Sequence, residues 1–69
     1  MPSSVIRAHD YDAQTRCLRI IFVSGAVYDY EAVPPQVAQG LAEAGSRGRF
    51  FSLWIRDRYP YRRVSEARG

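Results

Sequence analysis

The chain has no lysine: all ten of its basic residues are arginine. Arginine presents a planar fork that fits phosphate or carboxylate and a flat face that stacks, whereas lysine is a compact point charge. There is one cysteine, Cys17, and one histidine, His9. A lone cysteine excludes an internal disulfide, and two such residues fall short of the three or four ligands of a stable zinc site. Long apolar runs are also missing. The longest, Leu18 to Val23, is broken by Arg19 and lies far below the ~20 residues of a membrane-spanning helix. No N-terminal segment has the apolar length of a signal peptide. Together these absences point to a cytoplasmic protein in a reducing compartment, with no membrane contact and no metal.

What is present reads as one domain over residues 1–69, with no linker or compositional break. At this size folding buries roughly 60% of the unfolded chain's surface, so a homodimer would add to a small core. The net charge of +3 is unevenly spread. Residues 1–46 carry three arginines against five acids, and residues 47–69 carry seven arginines against Asp57 and Glu66. Such lopsidedness encodes a basic face for an acidic partner.

The first half reads as three strands. Val5 to Tyr11 ends at the turn-forming Asp12-Ala13-Gln14-Thr15, Cys17 to Val23 is rich in β-branched and aromatic residues, and Ser24-Gly25 turns the chain into Ala26 to Tyr30. A three-residue loop Val23-Ser24-Gly25, with Gly25 left-handed, sets Ile20 against Tyr28 and Leu18 against Tyr30 on one face. It also sets Arg19 against Asp29 on the other, a favourable ion pair. For the first hairpin, the register that places Ile6 and Ala8 on the Leu18/Ile20/Phe22 face is favoured over the one that sends Arg7 and His9 there.

Val33-Pro34-Pro35 opens a first helix, because proline suits a first turn whose N–H groups are unpaired anyway. Val37, Leu41 and Ala44 recur at helical spacing, Gly45 fits a stop, and Gly40 weakens the helix by about 1 kcal/mol. Ser46 caps a second helix, on whose wheel Phe50, Phe51, Leu53, Trp54 and Ile55 cover one broad arc. Phe51, Leu53 and Ile55 also alternate as in a strand; length and the Ser46 cap favour the helix. Pro60 stops it. The expected architecture is α+β: a small three-stranded antiparallel β-meander with two short helices packed on one face. Its core spans about 3–61, and 62–69 form a frayed basic tail.

These residues resemble a known family. The order of Ser-Ser near the start, Tyr11-Asp12, Leu18-Arg19-Ile20-Ile21-Phe22 followed by Ser24-Gly25, Tyr28-Asp29-Tyr30, Val33-Pro34, then Ala44-Gly45-Ser46-Arg47-Gly48-Arg49-Phe50-Phe51, Ile55-Arg56 and Tyr59 is similar to the KTSC domain. That domain takes its name from the C-terminus of some lysyl-tRNA synthetases and also occurs in free-standing bacterial proteins. Asp10 stands where the pattern has glycine, and Ser52 where it has asparagine. The resemblance implies a suggested association with RNA and carries over no catalytic residue.

Nucleophilic chemistry would need Cys17 and His9 on one face. Nothing in the sequence lowers the thiol pKa, so no catalytic residue and no cofactor are assigned. Gly45-Ser46-Arg47-Gly48 lacks the lysine and spacing of a phosphate-binding loop and reads as a helix junction. Tyr28 and Tyr30, the family's Tyr-x-Tyr, read as structural. The candidate nucleic-acid surface is Arg47, Arg49, Arg56, Arg58, Tyr59, Tyr61, Arg62 and Arg63, with arginines for phosphate and tyrosines for stacking. The leading expectation is a non-catalytic accessory module for RNA or another polyanion. The alternative is a protein-interaction or homo-oligomerisation module for an acidic partner, since arginine and aromatic residues also dominate interface hot spots.

Overall fold

Side-chain alternation builds the sheet, and two helical stretches cover one side of it. In the computed structural model, which describes residues 6–66, the chain runs β1 (Ile6–Asp12), β2 (Cys17–Phe22), β3 (Ala26–Tyr30), α1 (Pro35–Glu43), α2 (Arg47–Trp54) and β4 (Tyr61–Glu66). The four strands form one antiparallel sheet in the order β1-β2-β3-β4.

The β2–β3 hairpin has the register that charge and apolar pairing demand: Leu18 faces Tyr30, Arg19 faces Asp29, Ile20 faces Tyr28 and Ile21 faces Val27. Gly25 has φ 99°, where a Cβ would be strained, and its N–H donates to the Phe22 carbonyl at 2.9 Å.

The β1–β2 hairpin corrects one expectation. Ile6 lies opposite Phe22 and is buried, but Ala8 lies opposite Ile21 and is exposed, while His9 faces Ile20 and is partly buried. Arg7 is an extra residue, a β-bulge that reverses the alternation. Each of the two competing registers therefore holds on one side of Arg7. Val5, the expected start of this strand, lies outside the described residues.

α1 begins on Pro35 after an extended Pro34, and buries Ala38 and Leu41. It stops at an extended Ala44 (φ −68°, ψ 143°), so no left-handed glycine ends it, contrary to the role expected of Gly45. Gly40 has a different use. A Cβ there would lie 2.7 Å from Cζ of Phe50, so the glycine lets the α2 ring seat against α1.

α2 is capped as the sequence predicts, the Ser46 hydroxyl accepting the Arg49 N–H at 3.3 Å. Its buried strip is narrower than its apolar arc. Phe51 and the following Ile55 are buried, whereas Leu53 and Trp54 are 55% and 51% exposed. Only one edge of so short a helix reaches the sheet, and the arc is wider than that edge.

The main correction is the fourth strand. The chain leaves the sheet after Tyr30, forms both helices and returns to pair with the free edge of β3, Tyr61 opposite Tyr30, Arg62 opposite Asp29 and Arg63 opposite Tyr28. After an irregularity at Val64, Ser65 faces Val27 and Glu66 faces Ala26. Residues 62–66 are therefore strand and not frayed tail; residues 67–69 lie outside the described residues. An open β3 edge offers unpaired N–H and C=O groups that an arginine-rich segment can satisfy, although its composition gives little strand signal. The return is pinned by the Glu31 N–H, which donates to the Pro60 carbonyl at 2.8 Å.

The core joins Ile6, Leu18, Ile20 and Tyr30 of the sheet to Val33, Ala38, Leu41, Phe51 and Ile55, so both helices lie on one sheet face. Val33 is tied down twice. Its N–H donates to the Arg16 carbonyl at 2.9 Å, and its own carbonyl accepts the Tyr11 hydroxyl at 2.6 Å.

Candidate functional site

Alternation along β4 sorts the candidate residues. Tyr61 and Arg63 lie on the helix-covered face beside Tyr30 and Tyr28, and Arg62, opposite Asp29, lies on the outer face. The eight candidates therefore do not share one surface. Tyr59 is partly buried and packs against the core, so its ring is not free. Arg47 stands close enough to His9 to add to the burial that lowers the imidazole pKa, with Asp10 opposing. Arg49 is exposed on α2. Arg58 reaches back, donating from Nε to the Leu53 carbonyl at 3.1 Å and laying its guanidinium 5.3 Å from the Trp54 ring centre. It thereby satisfies an end-of-helix carbonyl and makes a cation–π contact.

Arg56 and Tyr61 do come together. They border a groove of about 600 Å³ between the β3–β4 edge and the end of α2, with Tyr28, Tyr30 and Phe51 among its lining. Tyr61 is 57% exposed, yet its ring centre stands 5.4 Å from that of Tyr28 and 5.3 Å from that of Tyr30. Phe51 meets Tyr30 edge-on at 5.3 Å and Phe22 at 5.5 Å. These rings brace one another in the offset and edge-to-face arrangements aromatic quadrupoles favour. The Arg63 guanidinium lies 5.9 Å from the Tyr28 ring centre. Ser52, Arg56 and Asp57 supply polar groups to the groove. Tyr30 is 4% exposed and Tyr28 partly buried. Burial, with the neighbouring Tyr61 and Tyr28 adding and Arg56 opposing, pushes its hydroxyl pKa up to about 12.

The outer face holds a different arrangement. Arg19 donates to Asp29 from two nitrogens, Nε to Oδ1 at 2.8 Å and Nη2 to Oδ2 at 3.0 Å. The guanidinium hydrogen bonds and charge hold the Asp29 carboxyl below its ordinary pKa against the opposing effect of burial, with Arg62 adding to the shift. Burial and the adjacent Asp29 push the Cys17 thiol pKa up. Cys17, opposite Asp12, lies on this outer face, whereas the Arg7 bulge turns His9 to the other, so the two do not share a face. Among the described residues no three His, Cys, Asp or Glu side chains gather as a metal site, and no helix is long and apolar enough to cross a membrane.

Sequence reasoning missed Trp54 and Leu53 as surface residues and Asp57 as part of the groove. The exposed pair could not be separated from the core arc by helical spacing alone. Asp57 read only as a counter-charge to nearby arginines.

Comparison with known proteins fits this frame. A protein of Stutzerimonas stutzeri is 45% identical over 65 residues, covering 93% of this chain and 92% of its own. A lysine–tRNA ligase of Nostoc punctiforme is 39% identical over 62 residues, 90% of this chain but 11% of the ligase. The chain thus spans about a tenth of that relative. The crystal structure of a KTSC domain protein from Yersinia pestis superposes with a TM-score of 0.85 at 33% identity, covering 94% of each chain. Residues 2–59 match the model of the KTSC domain, and the chain belongs to that family.

Proposed function

We propose that this domain is a small, non-catalytic RNA-binding accessory module that works in the cytoplasm and uses no cofactor. The observation that carries the reading is the exposed Tyr61 ring, braced by Tyr28 and Tyr30, with Arg56 in the same groove and Arg63 over the Tyr28 ring. An exposed aromatic ring with arginines nearby is the arrangement that stacks an unpaired base while holding its backbone. Matching the same domain within lysine–tRNA ligases, which act on an RNA, supports it. The reading is narrower than the full arginine set. If Arg56 and Arg63 contact phosphates, the salt slope for single-stranded RNA is about −1.4, an approximately sevenfold weakening over a fourfold rise in salt.

The test is fluorescence anisotropy of labelled single-stranded RNA at two salt concentrations. Micromolar binding with that slope is expected, with a shallower slope once Arg56 and Arg63 are alanine. Absence of binding at low salt would refute the reading.

Exposed Leu53 and Trp54 favour a second reading, an interface for an acidic protein or a second copy of this chain. Sedimentation across a concentration series tests its oligomeric form, and an invariant monomer would remove it.

A further inference from the structure

The groove carries a carboxylate, next in sequence to Arg56, that phosphate binding does not use. Arg56 and Asp57, adjacent in sequence, both line it just beyond α2, facing a cavity whose other wall includes Tyr61. No ion pair engages Asp57 among the described residues, and it is exposed. A carboxylate at the mouth of a polyanion groove is unfavourable for phosphate in general, because like charges repel. Its presence makes chemical sense when it accepts hydrogen bonds from the ligand.

An ionised carboxylate only accepts, so it selects a group with adjacent donors. Among the four RNA bases, guanine alone presents two neighbouring N–H donors, at N1 and N2, with an acceptor, O6, beside them. Adenine and cytosine set a ring-nitrogen lone pair next to their amino group, and uracil flanks its single N–H with two carbonyls. The groove lining holds both a donor, Arg56, and an acceptor, Asp57, the two kinds of group that the guanine edge requires. A base edge read in this way must be unpaired, and unpaired bases stack on aromatic side chains. Tyr61 is open for that contact and is held in place from behind by Tyr28 and Tyr30.

We propose that the groove receives one unstacked guanine of a single-stranded RNA, its ring on Tyr61, N1–H and N2–H donated to Asp57 and O6 accepting from Arg56. This rests on the RNA-binding reading and names what the same groove selects.

The experiment uses the full chain and four labelled U-rich pentanucleotides that differ only in a central G, A, C or U, at about 50 mM salt. The wild type is expected to hold the G oligonucleotide about tenfold more tightly than the others. Asp57→Ala should weaken the G complex about tenfold and tighten the other three, because repulsion is relieved while the donors lose their acceptor. A structural role for Asp57 would move all four in one direction. Equal affinities in the wild type, or a G preference that survives Asp57→Ala, would overturn the guanine assignment while leaving RNA binding in place. Binding of none of the four would overturn the RNA reading and this inference together.

Discussion

Replacing Asp29 by asparagine removes one charge from a position where the carboxylate is nearly enclosed and its partner is not. The Asp29 side chain is 6% exposed and that of Arg19 48%, joined by two bonds of 2.8 and 3.0 Å. Asparagine keeps the shape but offers one acceptor and turns an N–H donor toward the guanidinium. A hydrogen bond to a charged group contributes about 1.5–3 kcal/mol, but an exposed ion pair only about 0.2–1. Because half-open Arg19 regains water when released, the loss should fall between these limits, at about 1–2 kcal/mol. In a domain of this size each kcal/mol moves Tm by about 4–8 °C, so Asp29→Asn should melt roughly 5–15 °C lower by circular dichroism. The pH dependence has a definite sign. Asp29 has a lowered folded-state pKa, so its contribution is complete above the ordinary value of 3.8 and disappears as pH falls through the folded value. The gap between wild type and variant should stay constant from about pH 5 to 8 and close below about pH 4. Arg19→Ala should add little in the Asp29→Asn background. An unchanged Tm, or a gap that persists in full at low pH, would refute the reasoning.

Three further outcomes are expected. Tyr30 has a folded-state pKa of about 12 against 10.0 unfolded, so stability in urea melts should decline as pH climbs between those values, by up to about 1.4 kcal/mol per pH unit, and Tyr30→Phe should flatten that decline. Gly40→Ala sets its helix-propensity gain of about 1 kcal/mol against a Cβ contact of 2.7 Å with Phe50, so the substitution should be at least about 1 kcal/mol more favourable in a Phe50→Ala background than in the wild type. Ile20, fully buried between sheet and helices, should cost about 2–5 kcal/mol as alanine and about 1 kcal/mol as valine; equal effects of the two in denaturant titrations would contradict its place in the core.

The β2–β3 hairpin was readable because one register alone satisfies an apolar face, an ion pair and a left-handed glycine together. Resemblance to the KTSC domain was readable for a related reason, since its motif residues include Tyr11 and Val33, which bond to each other in the fold. Arg7 shows where such pattern reading ends. A bulge adds one residue and exchanges the two faces, and no composition rule marks where it falls. β4 was hidden because its arginines suit a solvated tail as well as an edge strand, and the decision belongs to the open edge of β3, a distant partner. The groove was half legible. Arginines and tyrosines at 56–63 announced a charged aromatic surface, but only strand alternation separates Arg63 from Arg62, and only the return of the chain brings Tyr61 beside Tyr28.

The residues that match the KTSC domain end at Tyr59, and β4 begins at Tyr61. The stretch that makes the mould of the groove and the stretch that makes its lip are thus separate lengths of chain. Residues 61–64 are all exposed, so substitutions along the lip that keep an aromatic ring at 61 against Tyr30 leave the packed interior largely in place. A single edge strand can in this way be rewritten to change what the groove grips, while Tyr30, Phe51 and the helices behind them stay as they are.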